Sequence, residues 1–225
     1  MKTIALYGDS IGRGVTWDEE RGRYVYLKEG FDKLLDKGDA MRILNHSRFG
    51  ALATEGLKDF EENPAEECDA VAIQYGGNDC TPDWKAAAED PVSVHPARIS
   101  LKDFEAVLTR FVQAVRAKSK IAVLVTPPPL VSERFVPWVS RGLNAQNILK
   151  YLGDVHHVYR WQEQYALMVH KVGRLTQSRL FDLRAFFLEE RDLGSLYCVD
   201  GMHPNQKGHD LIARAAREML PQLVL

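Results

Sequence analysis

Two short stretches at opposite ends of the chain carry residues that could do chemistry together. LYGDSIG, residues 6–12, places Ser10 directly after an apolar run, and VDGMHPNQKGH, residues 199–209, places Asp200 three residues before His203. A serine hydroxyl is a weak nucleophile until a base within hydrogen-bond reach takes its proton. An imidazole is the usual base, and a carboxylate three residues away can fold back within one turn to hold one ring nitrogen and free the other. Asn78, in the GGND of residues 76–79, adds a side-chain amide that could donate to a developing oxyanion. Gly50, which ends HSRFG after the second apolar run, could offer a backbone N–H with no side chain to obstruct the approach. A nucleophile, a base with its orienting carboxylate, and oxyanion donors are the parts that acyl transfer requires. Each has a plainer reading alone: Gly-Asp-Ser is a good turn, Asn after two glycines is a turn residue, and Asp-Gly before Met-His is a loop with a helix-capping histidine.

What would bring such scattered residues together is the order of the elements between them. Apolar or β-branched runs at residues 3–7 (TIALY), 41–45 (MRILN), 70–75 (AVAIQY), 121–126 (IAVLVT) and 179–183 (RLFDL) predict five strands. Helical patterns are expected near 24–37, 51–62, 101–118, 158–175 and 205–220. In the third of these, Phe104, Leu108, Phe111, Val112 and Val115 recur at three- and four-residue steps, with Ser100 as N-cap and Asp103 in the first turn. Strands alternating with helices predict a parallel sheet covered on both faces, a flavodoxin-like three-layer α/β/α sandwich with right-handed crossovers. Ligands in such sheets sit beyond the carboxyl ends of the strands, where Ser10, Gly50 and Asn78 all fall. Residues 80–99 and 127–157 are too long for plain connections and are expected to carry short helices or binding surfaces.

In order, GDS, GGND and DGMHP resemble the motif blocks of the SGNH (GDSL-type) hydrolases, esterases and lipases on a flavodoxin-like fold. The resemblance runs from Gly8 to His203. It implies Ser10 as nucleophile, His203 as base, Asp200 as its partner, and an oxyanion hole from the N–H groups of Ser10 and Gly50 and the Asn78 amide. GDSI stands where many relatives have leucine after the serine, and the block around Gly50 is chosen by position. The implied reaction is two-step ester hydrolysis without metal or organic cofactor. A short-acyl, soluble ester, such as a carbohydrate ester, is the expected substrate, with Trp84 and Trp138 in the two long loops as candidates to contact it. A lysophospholipase or thioesterase, an acyltransferase and a catalytically silent binding module are the alternatives. Asp9 is expected to serve the first turn rather than the site, and Asp182 has no assigned role.

Composition narrows the setting. The chain has 225 residues, 45% hydrophobic and 27% charged, with a net charge of −2, so nothing electrostatic draws it to nucleic acid or an anionic membrane. No apolar run approaches the ~20 residues that span a bilayer, and no leader or anchor is expected. Cys68, Cys80 and Cys198 form an odd set without metal-ligand spacing, which suits a reduced cytoplasmic protein. Residues 1–225 are expected to form one domain, of unassigned oligomeric state.

Overall fold

The computed structural model describes residues 2–36 and 41–224. The chain begins with β1 (Lys2–Gly8), a hairpin of β2 (Val15–Asp18) and β3 (Arg23–Tyr26), α1 (Phe31–Asp36), β4 (Met41–Asn45) and α2 (Ala53–Glu62). β5 (Ala70–Gln74), α3 (Trp84–Glu89), α4 (Leu101–Ala117) and β6 (Ile121–Val125) follow. The second half holds α5 (Ser132–Val139), α6 (Ala145–Leu152), α7 (His157–Thr176), β7 (Arg179–Phe181), α8 (Leu183–Leu188), a 3-10 turn (Leu193–Leu196) and α9 (Gln206–Leu223). Five strands form one parallel sheet in the order β4-β1-β5-β6-β7, and β2 pairs with β3 in an antiparallel ribbon.

The central strands are apolar at consecutive positions because helices cover both of their faces. Ile4 and Leu6 of β1, with Ala70 and Ala72 of β5, share one buried cluster with Leu211, Ile212, Ala215 and Ala216 of α9. Ala5 and Tyr7, with Val71 and Ile73, belong to the opposite cluster, with Leu57 and Phe60 of α2 and Phe104, Leu108 and Phe111 of α4. α4 starts where its sequence predicts, the Ser100 hydroxyl accepting the Asp103 N–H at 3.1 Å. The five expected strands all form, and the sheet is the predicted α/β architecture.

The helix expected near residues 24–37 does not form at its start. Residues 23–26 are β3, and α1 occupies only Phe31–Asp36; Lys37 lies outside the described residues. Tyr24 pairs with Trp17 and Val25 with Thr16, so cross-strand pairing overrides the helical spacing. The hairpin is fastened through a thiol: the Cys198 Sγ lies 3.0 Å from the Thr16 hydroxyl and takes the Trp17 N–H at 3.4 Å. The two long stretches do carry helices: α3 in the first, α5 and α6 in the second. With the start of α7 they build a third apolar cluster around Leu130, Phe135, Ile148, Leu152 and Val158.

α2 reaches the sheet at a point where no side chain fits. A Cβ at Gly56 would overlap the hydroxyl and ring of Tyr75, a buried side chain at the end of β5. Gly56→Ala gains about 1 kcal/mol of helix propensity, but forcing atoms into this packed contact costs about 3 kcal/mol. Urea unfolding of Gly56→Ala should therefore show a net loss near 2 kcal/mol; equal or greater stability would contradict this packing.

Candidate active site

The first loop beyond the sheet is shaped by backbone groups. Asp9 is buried, its Oδ1 accepts the Ile11 N–H at 2.9 Å, and the Val15 N–H returns to the Ser10 carbonyl at 2.9 Å. Burial pushes the Asp9 carboxyl up to about 6, moderated by the hydrogen bonds from Ile11 and Gln74. Asp9 thus holds the turn, as expected, while also lining the cleft beside Ser10.

The last loop arrives from the opposite end of the sequence. Asp200 turns back on itself: its Oδ1 accepts the N–H groups of Met202 at 3.0 Å and His203 at 3.1 Å. Its Oδ2 lies 2.6 Å from His203 Nδ1, and His203 Nε2 lies 2.9 Å from the Ser10 hydroxyl. Burial would raise the Asp200 carboxyl, but the hydrogen bonds and charge of His203 outweigh it and hold it below the usual carboxylate range. A hydroxyl, an imidazole and an ionised carboxylate in hydrogen-bonded series can move the serine proton onto the ring while the carboxylate fixes the tautomer.

The loops after β4 and β5 are stitched to each other. The Asn78 amide donates to the Ala51 carbonyl at 3.2 Å, one residue beyond Gly50, and Gly50 takes a left-handed φ of 73°. Asp79 ties the same loop down, its two oxygens accepting from Ala53 and Gly76 N–H groups at 2.9 Å each. Burial raises the Asp79 carboxyl to about 6 in spite of those bonds. Ser10, Asn78 and His203 line one cleft, walled by Thr81, Trp84, Leu130, Phe135, Val158, Trp161 and Met202; Gly50 is not in its wall. Trp84 is therefore at the cleft, whereas Trp138 packs against Trp17 at 4.6 Å and Tyr24 at 6.2 Å with the Arg141 guanidinium over its ring.

Tyr24 is the site residue that the sequence did not reveal. Its hydroxyl donates to Asp200 Oδ2 at 3.0 Å, and its ring stands 4.9 Å from the imidazole of His203. Burial and the neighbouring carboxylate push its phenol well up, so it stays a neutral donor. Phe49 stacks on the same imidazole, 6.0 Å away and 10° from parallel, and lies 5.4 Å from the Tyr24 ring. Alternating aromatics after Gly22 are a hairpin signal, but nothing in them names Asp200 as a partner. Asp182, unassigned before, accepts from Thr126 Oγ1 at 2.8 Å and caps α8. His209 is fully buried in packing, and burial lowers it to about 4. Among the described residues no group of three or more His, Cys, Asp and Glu side chains is placed to hold a metal ion.

With this geometry in view, residues 6–211 match the GDSL-like Lipase/Acylhydrolase family. The chain belongs to that family. This GDSL-like protein is a carboxylic ester hydrolase. No curated protein matches it. Among solved structures it resembles a lipase/acylhydrolase from Enterococcus faecalis, with TM-score 0.69 and 20% identity over 99% of this chain and 96% of the other. It also resembles a catalytic mutant of an acetylxylan esterase from Geobacillus stearothermophilus, at TM-score 0.64 and 23% identity over 96% and 93%. TesA gives 0.63 and 18%, with 99% of each chain covered. At these identities the structural matches establish the shared fold. Among the described residues no helix is long and apolar enough to cross a membrane.

Removing the Tyr24 hydroxyl while keeping its ring isolates one hydrogen bond to Asp200, worth about 1 kcal/mol or about fivefold. Tyr24→Phe should lower kcat/KM for p-nitrophenyl acetate about threefold to tenfold, and Tyr24→Ala, which also strips the packing from His203, should lower it further. Equal activity of Tyr24→Phe and wild type would show that the hydroxyl contributes nothing.

Proposed function

We propose that this protein hydrolyses short-acyl esters of small soluble alcohols or carbohydrates through Ser10, His203 and Asp200, as a single cytoplasmic catalytic domain spanning residues 1–225. The observation that carries the reading is the unbroken series from the Ser10 hydroxyl through both nitrogens of His203 to Asp200, at 2.9 and 2.6 Å. Ser10 Oγ attacks the acyl carbon as its proton passes to His203 Nε2. The carbonyl oxygen becomes an anion, received by the Ser10 N–H and the Asn78 amide in the cleft; the Gly50 N–H, outside the cleft wall, is the third donor that the family resemblance implies. When the C–O bond breaks, His203 returns the proton to the departing alcohol, leaving an acyl-enzyme. Water then attacks, giving its proton to His203; the acid leaves and Ser10 recovers its hydroxyl. Asp200 stays ionised throughout and stabilises the imidazolium.

The small cleft supports a short acyl group: Trp84, Phe135 and Trp161 take part in its wall, and it measures about 60 Å³. The likeness to an acetylxylan esterase is consistent with an acetyl or similar group on a sugar. Trp84 is the aromatic candidate for substrate contact, and Trp138 stiffens the hairpin behind Tyr24.

Ser10→Ala should keep the wild-type melting temperature and lose at least about 10³-fold in kcat on p-nitrophenyl acetate. Turnover within tenfold of wild type would remove Ser10 from the mechanism. Asn78→Ala should cost about 10²–10³ in kcat with a smaller change in KM, since the oxyanion exists only after attack. A loss confined to KM would assign Asn78 to ground-state binding instead.

A further inference from the structure

The cleft contains a polar group that the reaction above does not use. Gln162, on α7, is 5% exposed and lines the cleft with Ser10 and His203. Its Oε1 accepts from Arg184 Nη1 at 3.1 Å. Arg184 is itself only 3% exposed, pairs with Glu163 at 2.6 Å, donates to the Pro127 carbonyl at 3.3 Å, and lies over the ring of Tyr159 at 4.9 Å. The pair is anchored from below as well, because the Arg184 N–H donates to Thr126 Oγ1 at 2.9 Å.

Which way an amide faces is normally ambiguous, since its oxygen and nitrogen are alike in shape. Here the partner removes the ambiguity. A guanidinium carries donors only, so the atom of Gln162 that meets it must be the oxygen. The NH₂ group is then the end left to the cleft, and it donates to no protein atom among the described residues. A donor on a side chain this buried costs free energy unless something accepts from it.

The division of space around His203 says which part of an ester supplies that acceptor. The cleft holding Gln162 is about 60 Å³, whereas a separate groove along Tyr24, Tyr26 and Phe49, two of whose rings contact His203, is about 510 Å³. The small compartment suits the acyl group, and the wide one leaves room for the alcohol. Resting on the esterase reading above, we propose that Gln162, oriented by Arg184, is a specificity-determining residue that donates a hydrogen bond to an oxygen carried by the acyl group. The preferred acyl groups are thus short hydroxy-, alkoxy- or oxo-acyl chains rather than plain alkyl chains of the same length.

The test compares esters that differ only by an oxygen in place of a methylene: p-nitrophenyl methoxyacetate against butyrate, and 3-methoxypropionate against pentanoate. Each kcat/KM is divided by the rate of hydroxide hydrolysis, which removes the intrinsic reactivity of the ester. Wild type should favour the oxygenated member of at least one pair by about fivefold or more. Gln162→Glu keeps the shape and an acceptor for Arg184 but has no N–H facing the cleft, and it should abolish the preference. A purely structural Gln162 would tolerate that change. Gln162→Leu should abolish the preference too, with folding of both variants checked by thermal unfolding. Wild type that hydrolyses p-nitrophenyl acetate yet treats both pairs alike, or a preference that survives in both variants, would overturn this inference alone. Failure of wild type to hydrolyse any of these esters would overturn the esterase reading and this one with it.

Discussion

The parallel pairing of β1 with β5, buried on both faces, is the constraint on which the molecule depends. Leu6 sits opposite Ala72 and Gly8 opposite Gln74, so the two strands end at the same level. Parallel strands return through crossovers and therefore release every following loop at one end of the sheet. The loop between the 3-10 turn and α9 returns to that same end, so Ser10 and His203, 193 positions apart, share a hydrogen bond. The packing that isolates the strands from water also gives the loops a rigid base. The chemistry is assembled at a place where the backbone has little freedom left.

The same constraint explains why that end of the sheet is rich in buried polar groups. Backbone N–H groups leaving the strands need acceptors, and the loops supply them from side chains. Asp9 serves the first loop, Asp79 the third and Asp200 the last, each by accepting backbone N–H groups. Two of these carboxyls are driven up to about 6 by burial, whereas His203 holds the third low. Neighbouring acids in similar burial thus have opposite tendencies, according to whether an imidazole is hydrogen-bonded to them. The crowding also dictates small residues: a Cβ at Gly8 would meet the side chains of Gln74 and Ser47 at 2.8 and 3.0 Å, and one at Gly12 would meet Ser47 at 2.5 Å.

Much of this was legible in the sequence because it rests on local rules. The five strands announce themselves as apolar runs, and the loops after them carry Ser10, Asn78 and the Asp200–His203 turn at short, recognisable spacings. The hairpin looks helical in the sequence because Tyr24, Leu27, Phe31 and Leu34 fall at three- and four-residue steps, and only pairing with Val15–Asp18 makes residues 23–26 a strand. Tyr24 and Gln162 escaped notice for a different reason. Each acquires meaning from a partner far along the chain, Asp200 and Arg184 respectively. A tyrosine in a ribbon and a glutamine on an amphipathic helix look ordinary until the fold supplies those neighbours. Trp138 illustrates the converse, an aromatic in a long loop that the fold commits to packing.

The third apolar cluster has a bearing on how such an enzyme diversifies. Leu130, Phe135 and Val158 wall the cleft, yet they pack with Ile148 and Leu152 in a group separate from the two clusters that hold the sheet. The scaffold and the contour of the cleft are thus two largely independent inventories of side chains. Loop closure grows costlier only slowly with length, so the segments carrying α3, α5 and α6 can lengthen, shorten or exchange bulk without unsettling β1 or β5. Selectivity for the acyl group can drift while the position of Ser10 relative to His203 is conserved by parts of the chain that never touch the substrate.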